Sequence, residues 1–137
     1  MEASKKAKHV VSISLGSSKR DAHAMLELGG QKISIERRGT DGDFDKARQL
    51  LERWDGKADA IGLGGTDLYV YAGKKRYTFR ESARLIANVH KTPVLDGSGL
   101  KNSLERKLIQ SLAAGSEVPI RGSKVLLVCA VDRFGMA

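Results

Sequence analysis

A chain of 137 residues is long enough for one ordinary domain, and 41% hydrophobic with 29% charged residues is the composition of a folded protein. Only 2 prolines and 5% aromatics exclude Pro-rich low complexity and a binder that stacks bases on aromatic rings. Lys plus Arg outnumber Asp plus Glu by 24 to 16, a net charge of +8 that favours anionic partners, although solubility alone is the plainer use of such a charge.

Residues 1–8 read as a loose basic tail, and 9–137 as a single α/β domain. His9–Leu15 is a short apolar run ended by Gly16, the pattern of a strand. His23–Leu28 and Gln31–Arg38 flank Gly29-Gly30, a pair suited to a tight primed turn, so they predict a hairpin. Asp43 is placed to cap a helix in which Phe44, Ala47, Leu51 and Trp54 share a face, with Gly56 as its stop. Phe44 and Trp54 are expected in the core. Ala58–Leu63 predicts a second buried strand. Leu68–Tyr71 and Arg76–Phe79 predict a second hairpin around Gly73. Arg80–His90 reads as a helix stopped ahead of Pro93, and Thr92–Leu95 as a third strand. Leu100, Leu104, Leu108 and Leu112 stand four apart and predict one helix. After a loop over Ala113–Ser123, Lys124–Val131 (KVLLVCAV) predicts a buried strand with Cys129 as a small hydrophobe inside it.

Apolar strands alternating with amphipathic helices imply a mostly parallel sheet covered by helices. The expected architecture is a three-layer α/β sandwich with a mixed sheet, about four core strands and two β-hairpins. A last strand this apolar usually leads into a further helix, so the chain is either the N-terminal part of a longer protein or a domain closed by that strand.

No apolar run approaches the ~20 residues of a membrane span. The lysine-bearing start has no signal core, and a lone cysteine cannot form an internal disulfide, so the expected location is the cytoplasm. His9, His23 and His90 show no metal-ligand spacing, and no metal site is expected.

Three loops after strands share a Gly/Ser/Thr composition: Gly16-Ser17-Ser18-Lys19-Arg20, Gly62-Leu63-Gly64-Gly65-Thr66-Asp67 and Asp96-Gly97-Ser98-Gly99-Leu100-Lys101-Asn102. Glycines let backbone N–H groups approach an anion, and Ser, Thr and Lys add side-chain donors. In open α/β sheets ligands bind beyond the carboxyl ends of strands. Ser17, Ser18, Lys19, Gly65, Thr66, Ser98, Gly99 and Lys101 are therefore candidates for holding a small carboxylate or phosphate. Lys101 in the first turn of a helix opposes the helix dipole, a misfit that a nearby anion would relieve. Lys101, Asp67 and Asp96 are the acid–base candidates if the site is catalytic. For each, a plain turn or cap role is the alternative. The glycines of the second loop do not form G-x-G-x-x-G and lead to a strand, which excludes a nucleotide fingerprint there.

The segments IGLGGTDLY (Ile61–Tyr69), DGSGLKNSLER (Asp96–Arg106), AVDRFGMA (Ala130–Ala137) and ERRGTDGDFDKA (Glu36–Ala47) together resemble a bacterial family labelled quinate 5-dehydrogenase. The resemblance implies the substrate domain of a quinate- or shikimate-dehydrogenase-like protein, with a carboxylated ligand. It implies no cofactor within this chain; a nicotinamide cofactor would belong to a C-terminal domain beyond it. A rival reading is a nucleic-acid module that uses Arg37-Arg38 and Lys74-Lys75-Arg76 in its hairpins. A third is a scaffold domain without a small ligand, and either is compatible with a homo-oligomer.

Overall fold

The computed structural model describes residues 6–115 and 119–130. In chain order the strands are β1 (Lys8–Ser14), β2 (Ala22–Leu28), β3 (Gln31–Gly39), β4 (Ala60–Gly64), β5 (Tyr69–Ala72), β6 (Lys75–Thr78) and β7 (Val94–Leu95). The helices are α1 (Phe44–Trp54), α2 (Arg80–Leu85), α3 (Ser98–Asn102) and α4 (Leu104–Ala114). These elements make an α/β fold with a mixed, mostly parallel sheet and two hairpins. They fall into two compact units. The first runs to Asp67 and resumes over Arg80–Asp96; the second takes Leu68–Phe79 and the chain from Gly97.

The first unit is a five-stranded sheet in the order β2-β3-β1-β4-β7. β1 lies at its centre, parallel to β3 on one side and to β4 on the other. Only the β2–β3 hairpin is antiparallel. Its turn residues Gly29 and Gly30 have φ of 55° and 74°, the left-handed pair that a primed turn requires. The crossovers from β3 to β4 and from β4 to β7 step in the same direction. The right-handed rule then puts α1 and α2 on the same face, and the two helices pack together. The core follows from this. Val11 and Ile13 of β1 stand beside Ile61 and Leu63 of β4, and all are buried with Ala47, Leu51 and Leu85 of the helices. Val10 and Ser12, on the other face, are half-buried.

Asp43 caps α1 as its sequence predicts, its Oδ1 accepting from the Lys46 amide at 2.9 Å. Phe44 is corrected: it stands at the first helical position, off the end of the buried face, and is 46% exposed. Trp54 is half-buried and meets His9 edge-on at 5.0 Å. Lys8, expected in the tail, belongs to β1 and pairs with Asp59 at 2.8 Å. Residues 1–5 of that tail lie outside the described residues.

Helix α2 stops five residues before the predicted end. The end of the predicted helix and the residues after it are held by Asp55, just past the end of α1. The Asp55 carboxylate accepts the amides of His90 at 3.0 Å, Lys91 at 2.8 Å and Thr92 at 2.8 Å. The Thr92 hydroxyl returns the link by accepting from the Gly56 amide at 2.7 Å. These bonds, led by that from His90, hold the Asp55 carboxyl below the ordinary carboxylate range. A depressed pKa gives stability that is complete above about pH 4 and is lost as pH falls through the folded value. Asp55→Asn is therefore expected to melt below the parent at pH 7, with the gap closing toward pH ~2. Thermal melts across that range read the effect; a gap that stays constant with pH would assign it to something other than the charge.

In the second unit, β5 and β6 form a separate two-stranded sheet, not part of the main one. Gly73 turns the hairpin at φ 62°, and Arg76 lies over the Tyr69 ring at 5.3 Å. The single helix predicted over Leu100–Leu112 is broken at Ser103, with φ −121° and ψ −71°. The Ser103 hydroxyl donates back to the Gly99 carbonyl at 2.7 Å, a local bond that competes with the helix ladder. Leu100, Leu104 and Leu108 are all exposed. The buried strand expected over Lys124–Val131 is also corrected. Residues 124–127 are irregular, and Val125, Leu126, Val128 and Cys129 are exposed. An apolar run becomes a buried strand only beside a partner, and none pairs with it among the described residues. Val131 and the residues after it lie outside them. Among the described residues no helix is long and apolar enough to cross a membrane.

Candidate functional site

The parallel strands β3, β1, β4 and β7 end at one edge of the sheet. From β1 the chain leaves toward β3; from β4 it leaves toward β7. The loops after β1 and β4 thus diverge, which makes this a topological switch point, where open α/β sheets place their ligands.

Backbone contacts hold the two loops together. The Leu15 amide donates to the Gly64 carbonyl at 2.9 Å. Gly65 turns away at φ 75°, and a Cβ there would lie 3.2 Å from the Gly16 nitrogen. The turn after β3 is laced onto the loop after β1. The amides of Thr40, Asp41 and Gly42 donate to the carbonyls of Ser14, Gly16 and Leu15 at 2.9, 3.1 and 2.8 Å. In return, Asp41 Oδ1 accepts the Ser18 amide at 2.8 Å. Hydrogen bonds from the hydroxyl and amide of Ser18 keep the Asp41 carboxyl below its ordinary range. The protein thus supplies its own carboxylate to one N–H of the loop that composition singles out for anions.

Cations gather around Gly16. The position its Cβ would take is 2.7 Å from Arg20 Nη2, 3.1 Å from Arg37 Nη2 and 3.2 Å from Ser14 Oγ. Arg37 Nη1 donates to the Ser17 carbonyl at 2.9 Å and to Asp21 Oδ1 at 3.1 Å, so its head is oriented. Arg20 has no ion pair among the described residues. Two guanidinium groups side by side repel, and a shared anion removes the conflict. On the opposite face of β3, Arg38 joins Lys46 and Arg53 of α1 along a cleft of about 390 Å³ that also touches Ser18 and Trp54.

The candidates named from sequence divide between the units. Ser17, Ser18, Lys19, Gly65, Thr66, Asp67 and Asp96 belong to the first, where the structure brings the loops after β1 and β4 together. Ser17 Oγ accepts the Lys19 amide at 3.2 Å and caps the short turn Ser18–Arg20. The Thr66 hydroxyl is taken up by Ser82 of α2 at 2.6 Å. Ser98, Gly99 and Lys101 belong to the second unit, where Ser98 is buried and donates to the Tyr69 carbonyl at 2.8 Å. Lys101 is in the last turn of the five-residue α3, where a cation suits the dipole, so the misfit that drew attention to it is absent. Sequence reasoning placed Arg20 in the first loop without naming it as a ligand-binding residue, and it read Arg37 and Arg38 as one basic patch. The period of two puts them on opposite faces, which was the available signal.

No group of three or more His, Cys, Asp and Glu able to hold a metal occurs among the described residues. No curated protein matches the chain. A family described as a domain of unknown function, DUF8754, matches residues 99–137. A second, DUF8753, matches residues 9–96, and its end at Asp96 is also where the first unit ends. That match takes in the central strands, both loops of the switch point and the arginines around Gly16; the chain belongs to this family of domains of unknown function, DUF8753.

Proposed function

We propose that the first unit binds a small anionic ligand at the switch point, between the loops after β1 and β4. The observation that carries this reading is the meeting of Arg20, Arg37 and Ser14 around Gly16. A planar guanidinium pair matches a carboxylate or phosphate better than lysines do. The likeness to proteins labelled quinate 5-dehydrogenase supplies the ligand class, a ring carboxylate, and the role of a substrate domain. Asp67 and Asp96 follow β4 and β7 in the same unit and are the acid–base candidates of this reading.

The test is a thermal-shift titration with quinate at fixed ionic strength, with sodium chloride as control. Saturation near 100 times Kd adds about 2.7 kcal/mol, a shift of several degrees in a unit of this size. Arg20→Ala is expected to weaken binding roughly 10-fold or more with little change in the unliganded melt, since its side chain holds nothing else in place. Arg53→Ala tests the cleft on the other face. Unchanged affinity in Arg20→Ala with loss in Arg53→Ala would move the site there; no saturable shift in the parent would end the reading.

A nucleic-acid reading draws on the β5–β6 ribbon, which is two-stranded and carries Lys74, Lys75 and Arg76 beside Tyr69 and Tyr77. Binding through phosphates would weaken steeply between about 50 and 200 mM salt. A flat salt response argues against it.

A further inference from the structure

We infer that the outer edge of β2, which pairs with no further strand among the described residues, pairs with β2 of a second copy of this chain, joining two five-stranded sheets across a two-fold axis at Met25. β2 is the outer strand of its sheet, and all seven of its residues are exposed. Met25 is 58% exposed and Leu28 is 71% exposed. An edge strand offers a row of unpaired N–H and C=O groups, and soluble proteins usually blunt such an edge with lysine, proline or a bulge. β2 has no lysine, proline or bulge, and its one acidic residue, Glu27, faces His23 of the second copy in the pairing about Met25. Its pairing with β3 is unbroken from Ala22 to Leu28.

The occupant follows from the sequence of the strand, AHAMLEL. Two copies set antiparallel about Met25 place Ala22 opposite Leu28, His23 opposite Glu27, Ala24 opposite Leu26, and Met25 opposite itself. Every large aliphatic side chain then faces an alanine, and the acid faces the histidine. Directly opposed residues share a face, so the alanine–leucine pairs form one apolar stripe, continuous with Ile33 and Ile35 of β3. His23 and Glu27 lie on the other face, where His23 Nε2 is already held by Ser34 Oγ at 2.8 Å. Moving the axis to Ala24 or to Leu26 pairs five residues in place of seven and sets a methionine against His23 or Glu27. The Met25 register also works whichever alternate set of carbonyls points outward. A residue on the axis forms either a hydrogen-bonded or a non-hydrogen-bonded pair with itself, and both exist in antiparallel sheets. Isologous contact of this kind closes at two and does not propagate.

Seven residues per copy make a small interface, so the expected state is a reversible dimer with a Kd in the micromolar range, about 10⁻⁶ to 10⁻⁵ M. Sedimentation velocity on the purified chain over roughly 1–100 µM reads it. Met25→Lys sets two ammonium groups against each other on the axis and is expected to sediment as a monomer with an unchanged melt, because the side chain is exposed. Register is read by cross-linking in a Cys129→Ser background. Met25→Cys brings two Cα atoms to about 4.5–5.5 Å, within disulfide reach, and is expected to form a covalent dimer on oxidation. Leu28→Cys leaves its two copies about 20 Å apart and is expected to stay unlinked. A monomer throughout the range, a dimer that survives Met25→Lys, or Leu28→Cys linking as readily as Met25→Cys would each overturn the inference.

Discussion

Leu51→Ala is expected to lower the melting temperature by more than about 10 °C, the largest effect of any single truncation discussed for this chain. Leu51 has no accessible surface. It sits on the inner face of α1, the helix that packs on β1, whose Val11 and Ile13 are equally buried. Removing a buried leucine loses its transfer free energy and leaves a cavity, together about 3–5 kcal/mol. The first unit has few fully buried apolar side chains to share that loss. Phe44→Ala on the same helix is the control. Its ring is nearly half exposed, and about 1 kcal/mol is expected. Urea melts of the three proteins test the pair. Equal losses at both positions would contradict the one-sided burial of α1.

Gly39→Ala is expected to cost about 1–3 kcal/mol and to abolish anion binding at the switch point. Gly39 has an ordinary backbone conformation, so the reason is space alone. A Cβ there would stand 2.5 Å from the Ser17 carbonyl oxygen and 2.6 Å from the Ser18 nitrogen, and backbone atoms cannot swing aside as side-chain tips do. The loop after β1 must shift as a whole. The Ser17 carbonyl then releases Arg37, and Ser18 leaves Asp41. Gly62→Ala is the comparison: its Cβ meets Ser12 at 3.6 Å or more, an ordinary contact. Calorimetric titration with quinate beside thermal melts checks both halves. Full affinity in a stably folded Gly39→Ala would detach the loop from the site.

Features coded within a few residues were legible in the sequence. Gly29-Gly30 specified its hairpin, Asp43 its cap, and the alternation of apolar strands with amphipathic helices the α/β class. Features that depend on distant partners were not. Nothing near Asp55 indicates that His90, Lys91 and Thr92 will bring their amides to it, so a segment predicted as helix is held by a distant carboxylate. The leucines of Leu100–Leu112 carry a helical period, but period cannot register a serine that bonds back and breaks the ladder. KVLLVCAV has the composition of a buried strand, and burial requires a neighbour that composition does not supply. At the candidate site the glycine-rich loops were found because glycine is visible as a letter. The meeting of Arg20 with Arg37 was not, because the two come together only when a hairpin folds β3 back beside β1.

The central position of β1 has a consequence for synthesis. This strand precedes both of its neighbours in the chain but forms the middle of the sheet, so the two are made after it. β3 ends at Gly39, and β4 is complete only at Gly64. At roughly 5–20 residues per second, Val10, Val11 and Ile13 wait several seconds for their second flank. Through that interval the nascent chain presents an apolar segment with open edges. The lysines of its leading residues, Lys5, Lys6 and Lys8, place like charges beside that segment, where they oppose association of one nascent chain with another.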